Sequence, residues 1–148
     1  MFNNKEVKMN IQREQREIKF RAWDQKNKIM VFDVDEIFVN GSGTVYNMCH
    51  ERYDTPNVQI EWSQANFIIL QYTGLKDKNG KEIYDGDILG TADTYDVLVI
   101  YSVENGKWCG EYLNKDKRVL MPCDINDSVK DTSFIIGNIY ENLSLIHI

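Results

Sequence analysis

Proline occurs only twice in the 148 residues, and no long stripe of apolar residues at helical spacing runs through the chain. Those two absences leave a mostly β reading. Histidine is almost as scarce, with His50 and His147 at opposite ends, and the three cysteines Cys49, Cys109 and Cys123 are far apart. A zinc site needs about four soft ligands in close clusters, and neither a C-x-x-C pair nor any such grouping is present. The cysteines therefore read as buried free thiols of a reducing compartment. Apolar runs are short as well. The longest, around "FIIL", falls well below the roughly 18–20 residues of a membrane span. The first twenty residues are polar and lack a signal-peptide apolar segment, which points to the cytoplasm.

What is present is ordinary for a globular domain: 43% hydrophobic and 27% charged residues, in a chain of one domain's length. The net charge of −6 opposes general nucleic-acid binding, because that affinity comes mainly from neutralising phosphates. The charge is uneven. Residues 1–21 carry six basic and three acidic side chains, a net of +3 that leaves −9 on the rest. Residues 1–15 are expected to form a polar arm, a frayed helix or disordered, ahead of a single domain over 16–148.

From Arg16 the pattern is that of strands. "REIKFRAWD" alternates apolar and charged residues, "DQKNK" is a turn, and "IMVFDV" returns, which predicts a hairpin. "NGSG" and "DTPN" are breaks on either side of "TVYNMCH". "VQIEW" and "NFIILQY" follow, the second apolar enough to sit centrally in a sheet. In "DVLVIYSVENGKWCGEYL", Asn105-Gly106 is the favoured pair for a two-residue type I′ hairpin. That turn would pair Glu104 with Lys107 and Val103 with Trp108. It would also place Val97, Val99, Tyr101, Val103, Trp108 and Tyr112 on one face. The last strand, "SFIIGNIYEN", holds Gly137 at its middle, where a bulge or close approach is expected. "LSLIHI" reads as an apolar tail docked on a neighbour. The fold class is mainly β, with α+β open: a small β-barrel or SH3-like sheet with one or two short helices.

"TGLKDKNGKEIYDGDIL", Thr73 to Leu89, concentrates the candidate chemistry. It is not an EF-hand: with Gly80 at position 6, Asp77 and Asn79 fall at 3 and 5, but Leu75 and Gly86 occupy 1 and 12. It is not a phosphate loop, because no Ser/Thr follows Lys81. Asp85 and Asp87 would share a face of an extended strand and could hold Mg²⁺, yet a two-metal site needs further carboxylates. The reading that fits every residue is a corner: a tight turn at Lys78-Asn79-Gly80-Lys81 with Asp77 accepting backbone hydrogen bonds, then a second turn at Asp85-Gly86-Asp87. Gly74 and Tyr84 belong to the same motif. Trp23, Trp62 and Trp108 are a candidate binding surface, since aromatics on a sheet can stack bases or grip a peptide, although core packing explains them equally.

"QYTGLKDKNGKEIYDGDIL", with "IIGNIYEN" near the end and "REIKFRAWDQKNKIM" near the start, resembles the YopX protein family of phages and prophages of Gram-positive bacteria. The resemblance spans about Arg16 to Leu145. It implies a phage-encoded cytoplasmic protein of mostly β fold, with no enzyme activity, catalytic residue, metal or cofactor. The expected function is binding to protein, as a homo-oligomer and with a host or phage protein as a further partner. The alternative is a nucleic-acid-binding SH3-like module that uses the basic arm.

Overall fold

The computed structural model describes residues 17–32, 37–39, 45–49, 61–64, 67–92, 95–114 and 119–143. The arm at 1–15, the breaks "NGSG" and "DTPN", and tail residues 144–148 lie outside the described residues. The strands are β1 (Phe20–Asp24), β2 (Ile29–Val31), β3 (Ile37–Val39), β4 (Val45–Cys49), β5 (Glu61–Gln64), β6 (Phe67–Lys76) and β7 (Glu82–Tyr84). They continue with β8 (Asp87–Thr91), β9 (Asp96–Ser102), β10 (Lys107–Leu113) and β11 (Val119–Asp124). A single helical turn, α1 (Val129–Thr132), precedes β12 (Ser133–Asn138). Three antiparallel sheets result, ordered β2-β1-β6-β7, β11-β10-β9-β8-β12 and β3-β4-β5. This is the mainly β class expected, a curled half-barrel sheet of SH3-like character with one short helix.

Local chemistry explains the first hairpin. The Asp24 carboxylate accepts the amides of Lys26 and Asn27 at 2.9 and 3.0 Å and the Asn27 side chain at 2.7 Å. These bonds, the Asn27 amide's first, hold the Asp24 carboxyl below its usual range. Lys28 takes a positive φ of 58° to close the turn. "NFIILQY" falls on β6, whose apolar residues Phe67–Leu70 pair with β1, while β7 joins the other side only from Tyr72 to Lys76.

The second hairpin forms in another register. Ser102 lies opposite Lys107 and Tyr101 opposite Trp108, so the connection is four residues, Val103 to Gly106, not two. Gly106 alone of the Asn-Gly pair has positive φ, 61°. The Ser102 hydroxyl accepts the Asn105 amide at 3.2 Å and its side-chain NH₂ at 3.0 Å, which holds a wider loop. The slip is by two residues, so side-chain parity survives. Val97, Val99, Tyr101, Trp108 and Tyr112 keep one face, but Val103, expected beside them, falls in the longer loop and is exposed.

The five-stranded sheet is apolar on both sides. Ile83, Leu89, Val97, Val99 and Val129 cluster on one, with Trp108 and Tyr112 packed against them; Ile88, Leu98 and Leu113 cluster on the other. Gly110 is required by this packing, since a Cβ there would stand 2.4 Å from Val97 Cγ1 and 2.7 Å from Cys123 Sγ. β12 is an edge strand. Its pairing with β8 jumps between Ile135 and Gly137, a bulge at the expected place. The close approach is made by its neighbour, Gly90, where a Cβ would meet Ile136 Cγ2 at 2.8 Å.

Candidate functional site

The stretch from Thr73 to Leu89 is two corners that clamp the two larger sheets together. β6 bulges where Gly74 takes a φ of 88°, and the Thr73 hydroxyl donates to Ile83 O at 2.8 Å while accepting the Leu75 amide at 3.1 Å. At the first corner, Gly80 has a φ of 78°. One Asp77 oxygen accepts the amides of Asn79 and Lys81, each at 2.9 Å, and the other accepts the amide of Ile135 on β12 at 3.0 Å. The Lys78 amide bonds Ser133 O at 2.9 Å. The edge of β12 is thereby capped by its own chain. Burial pushes the Asp77 carboxyl up, but the three amides outweigh it and leave it below its usual value.

The second corner turns at Gly86, φ 82°, whose amide reaches Val99 O and whose carbonyl accepts the Ile139 amide, both at 2.9 Å. Asp87 is buried to 1% exposure. Its oxygens accept Arg21 Nη2 at 2.6 Å and the Tyr84 amide at 2.8 Å. Arg21 also lies 4.8 Å from the Tyr84 ring centroid. Burial pushes the Asp87 carboxyl up against the pull of Arg21 and the Tyr84 amide. Tyr84, buried and bonded to Glu82, is pushed up to about 12. Glu82 is held below its usual range, first by its hydrogen bond from Lys19.

Asp85 and Asp87 therefore do not act as a pair. Asp87 is spent on Arg21, and no group of three or more His, Cys, Asp or Glu stands close enough to hold a metal among the described residues. The corner at Asp85-Gly86-Asp87 is thus more than a turn, because Asp87 is held in a buried ion pair with Arg21. The tryptophans part company too. Trp23 is buried at 6% exposure with its ring 6.0 Å from that of Tyr140, so it presents no surface to a partner. Trp62 is on β5, with its side chain outside the described residues. Trp108 is half-buried, edge-on to Tyr101 at 5.2 Å, with its indole nitrogen buried and unpartnered.

Two concavities are lined by described residues. A cleft of about 910 Å³ has an apolar floor of Leu89, Val97, Tyr112, Ile125 and Val129, rimmed by Lys78, Asp124 and Asp131. Cys123 lines it, with burial pushing its thiol up and away from thiolate chemistry. A smaller cavity of about 340 Å³ lies between Phe20, Ile69 and Gln71 of the first sheet and Tyr101 and Trp108 of the second, with Asp85 completing its lining. Phe20, Arg21 and Tyr101 were absent from the sequence-derived candidates. The only signal for them was their alternation along β1 and β9, which assigns faces without identifying partners. No helix among the described residues is long and apolar enough to cross a membrane.

Comparison with known proteins fits this architecture. The profile of the family described as YopX protein matches residues 19–147. The crystal structure of protein EF1440 from Enterococcus faecalis is similar at a TM-score of 0.53 and 28% identity, covering 90% of this chain and 100% of that one. No curated protein matches.

Proposed function

Because the chain belongs to the YopX protein family, we propose that it is a phage-encoded, non-enzymatic protein of the host cytoplasm that acts by binding protein, as a homo-oligomer. The observation that carries this reading is the apolar surface of the β1–β2 hairpin. Ile18, Phe20, Ile29 and Phe32 are 64%, 40%, 53% and 61% exposed, four large apolar side chains on one short element. Exposed apolar side chains gathered on one short hairpin support a contact role. The non-enzymatic part is supported by how the buried ionisable groups are used: Arg21 and Asp87 are bonded to each other, and Asp77 to three amides.

Light scattering on the purified chain at high micromolar concentration tests the proposal. The expected mass is a multiple of 17.3 kDa, returning to 17.3 kDa in Ile29→Glu/Phe32→Glu with an unchanged circular dichroism spectrum. A wild-type monomer ends the homo-oligomer reading. Retention on DNA that falls steeply with salt would favour a nucleic-acid module instead.

A further inference from the structure

We propose that the cavity between the two larger sheets is a binding site for an alkylated ammonium headgroup, walled by Phe20, Tyr101 and Trp108 and made electronegative by Asp85. The site goes beyond the assembly proposed above and shares Phe20 with its apolar surface.

The walls come from register. Tyr101 and Trp108 are directly opposed on β9 and β10, and their rings meet at 76° with centroids 5.2 Å apart. The two rings meet edge to face and line one side of the cavity, and Phe20 of the other sheet lines the same space. Phe20 and Tyr101 keep 40% and 46% of their surface exposed, so the mouth is open to a ligand. Aromatic faces carry negative potential and attract cations, by about 0.5–1 kcal/mol at exposed sites and about 2 when water is excluded.

Charge is placed to match. Asp85 is the one charged residue among the described residues of the lining. Its amide bonds Gln71 O on β6 at 3.0 Å and its carbonyl accepts Arg21 Nη2 on β1 at 3.4 Å, so the corner that carries it is fixed to two strands of the first sheet. Its carboxylate forms no ion pair among the described residues. The neighbouring cations are committed: Arg21 to Asp87, and Lys19 to Glu17 and Glu82. Burial accordingly pushes the Asp85 carboxyl up, with Arg21 only partly opposing. A cation held by the rings would supply the charge that this carboxylate lacks.

Size and hydration narrow the class. About 340 Å³ is at the small end of ligand sites, enough for a headgroup and far too little for a nucleotide cofactor. A bare ammonium is strongly hydrated and gives up its water reluctantly. Methyl groups spread the charge, shed water and fill contact with the rings, which is the chemistry that aromatic cages select. Such a headgroup reaches the site either as a free small molecule or on a methylated lysine of another protein.

The test is titration of the full-length protein with choline, with N-acetyl-trimethyllysine methylamide, and with 3,3-dimethylbutanol, the uncharged isostere of choline. The readout is the Trp108 indole resonance in proton–nitrogen NMR. At least one cation is expected to bind tenfold or more tighter than the alcohol. Asp85→Asn and Tyr101→Leu should each weaken it about tenfold with melting temperatures unchanged; the leucine keeps apolar volume and removes only the ring. Either cation binding supports the site, and the tighter of the two identifies its source. Equal binding of choline and the alcohol, no shift with either cation, or full affinity in well-folded Asp85→Asn overturns it.

Discussion

Asp77 is one side chain that closes a turn and caps a strand at once. Replacing it with Ala leaves three amides without their acceptor, two at the corner and one on β12. The expected cost is about 2–4 kcal/mol, since bonds to a charged group are each worth about 1.5–3 but are not additive. Asp77→Asn keeps one acceptor and turns an NH₂ toward an amide, so it should fall between the two in urea denaturation. The pH dependence follows from the sign of the shift. The folded carboxyl lies below its ordinary 3.8, so its contribution is whole above that value and is lost as pH falls through the lowered one. Wild type should therefore lose more stability than Asp77→Ala between about pH 5 and about pH 2.5. An equal loss would show that this carboxylate is not the group responsible.

Among the elements, the β9–β10 hairpin separates two demands on glycine. Gly106 is held at a φ of 61° with a Cβ position 4.0 Å from its nearest neighbour, the Tyr101 hydroxyl oxygen, so only its backbone conformation is special. Gly110 has ordinary φ and no room at all. Gly106→Val should cost about 1–2 kcal/mol, while Gly106→Asn should be nearly neutral, because Asn tolerates that region. At Gly110 even Ala should cost about 1–3 kcal/mol through overpacking. Thermal melts of the three variants check the order, and a harmless Gly110→Ala would overturn the packing argument. The same hairpin shows what the sequence made legible. Its strands, turn position and facing were readable from alternation and from Asn105-Gly106. Its register was not, because the Ser102 hydroxyl takes Asn105 into a longer loop and Tyr101 meets Trp108 across the ladder. Local preference named the turn; a competing side chain set its length.

At the scale of the whole molecule, the sheets are joined by pairs distant in sequence, and these were not readable. The corners at Gly80 and Gly86 announce themselves in turn residues, but nothing near Asp87 names Arg21 as its partner. The cavity walled by Phe20, Tyr101 and Trp108 was hidden for the same reason: its residues come from different sheets. The Arg21–Asp87 pair, 6% and 1% exposed at its side chains, gives the prediction at this scale. Asp87→Asn or Arg21→Met alone should cost about 3–5 kcal/mol, because each strands a buried partner. The double Arg21→Met/Asp87→Leu should cost clearly less than the sum of the singles. Additive losses in a double-mutant cycle would show that the pair carries no coupling between the sheets.

The capped edge of β12 also has a consequence for how the chain emerges from the ribosome. Arg21 waits 66 residues for Asp87, and Asp77 waits 58 for Ile135. Until β12 has left the exit tunnel, β8 has no neighbour on that side and the first corner has nothing to hold. The edge of β8 therefore stays open until β12 itself has been made, and a nascent chain stalled earlier displays that edge to whatever chaperone or strand is nearby.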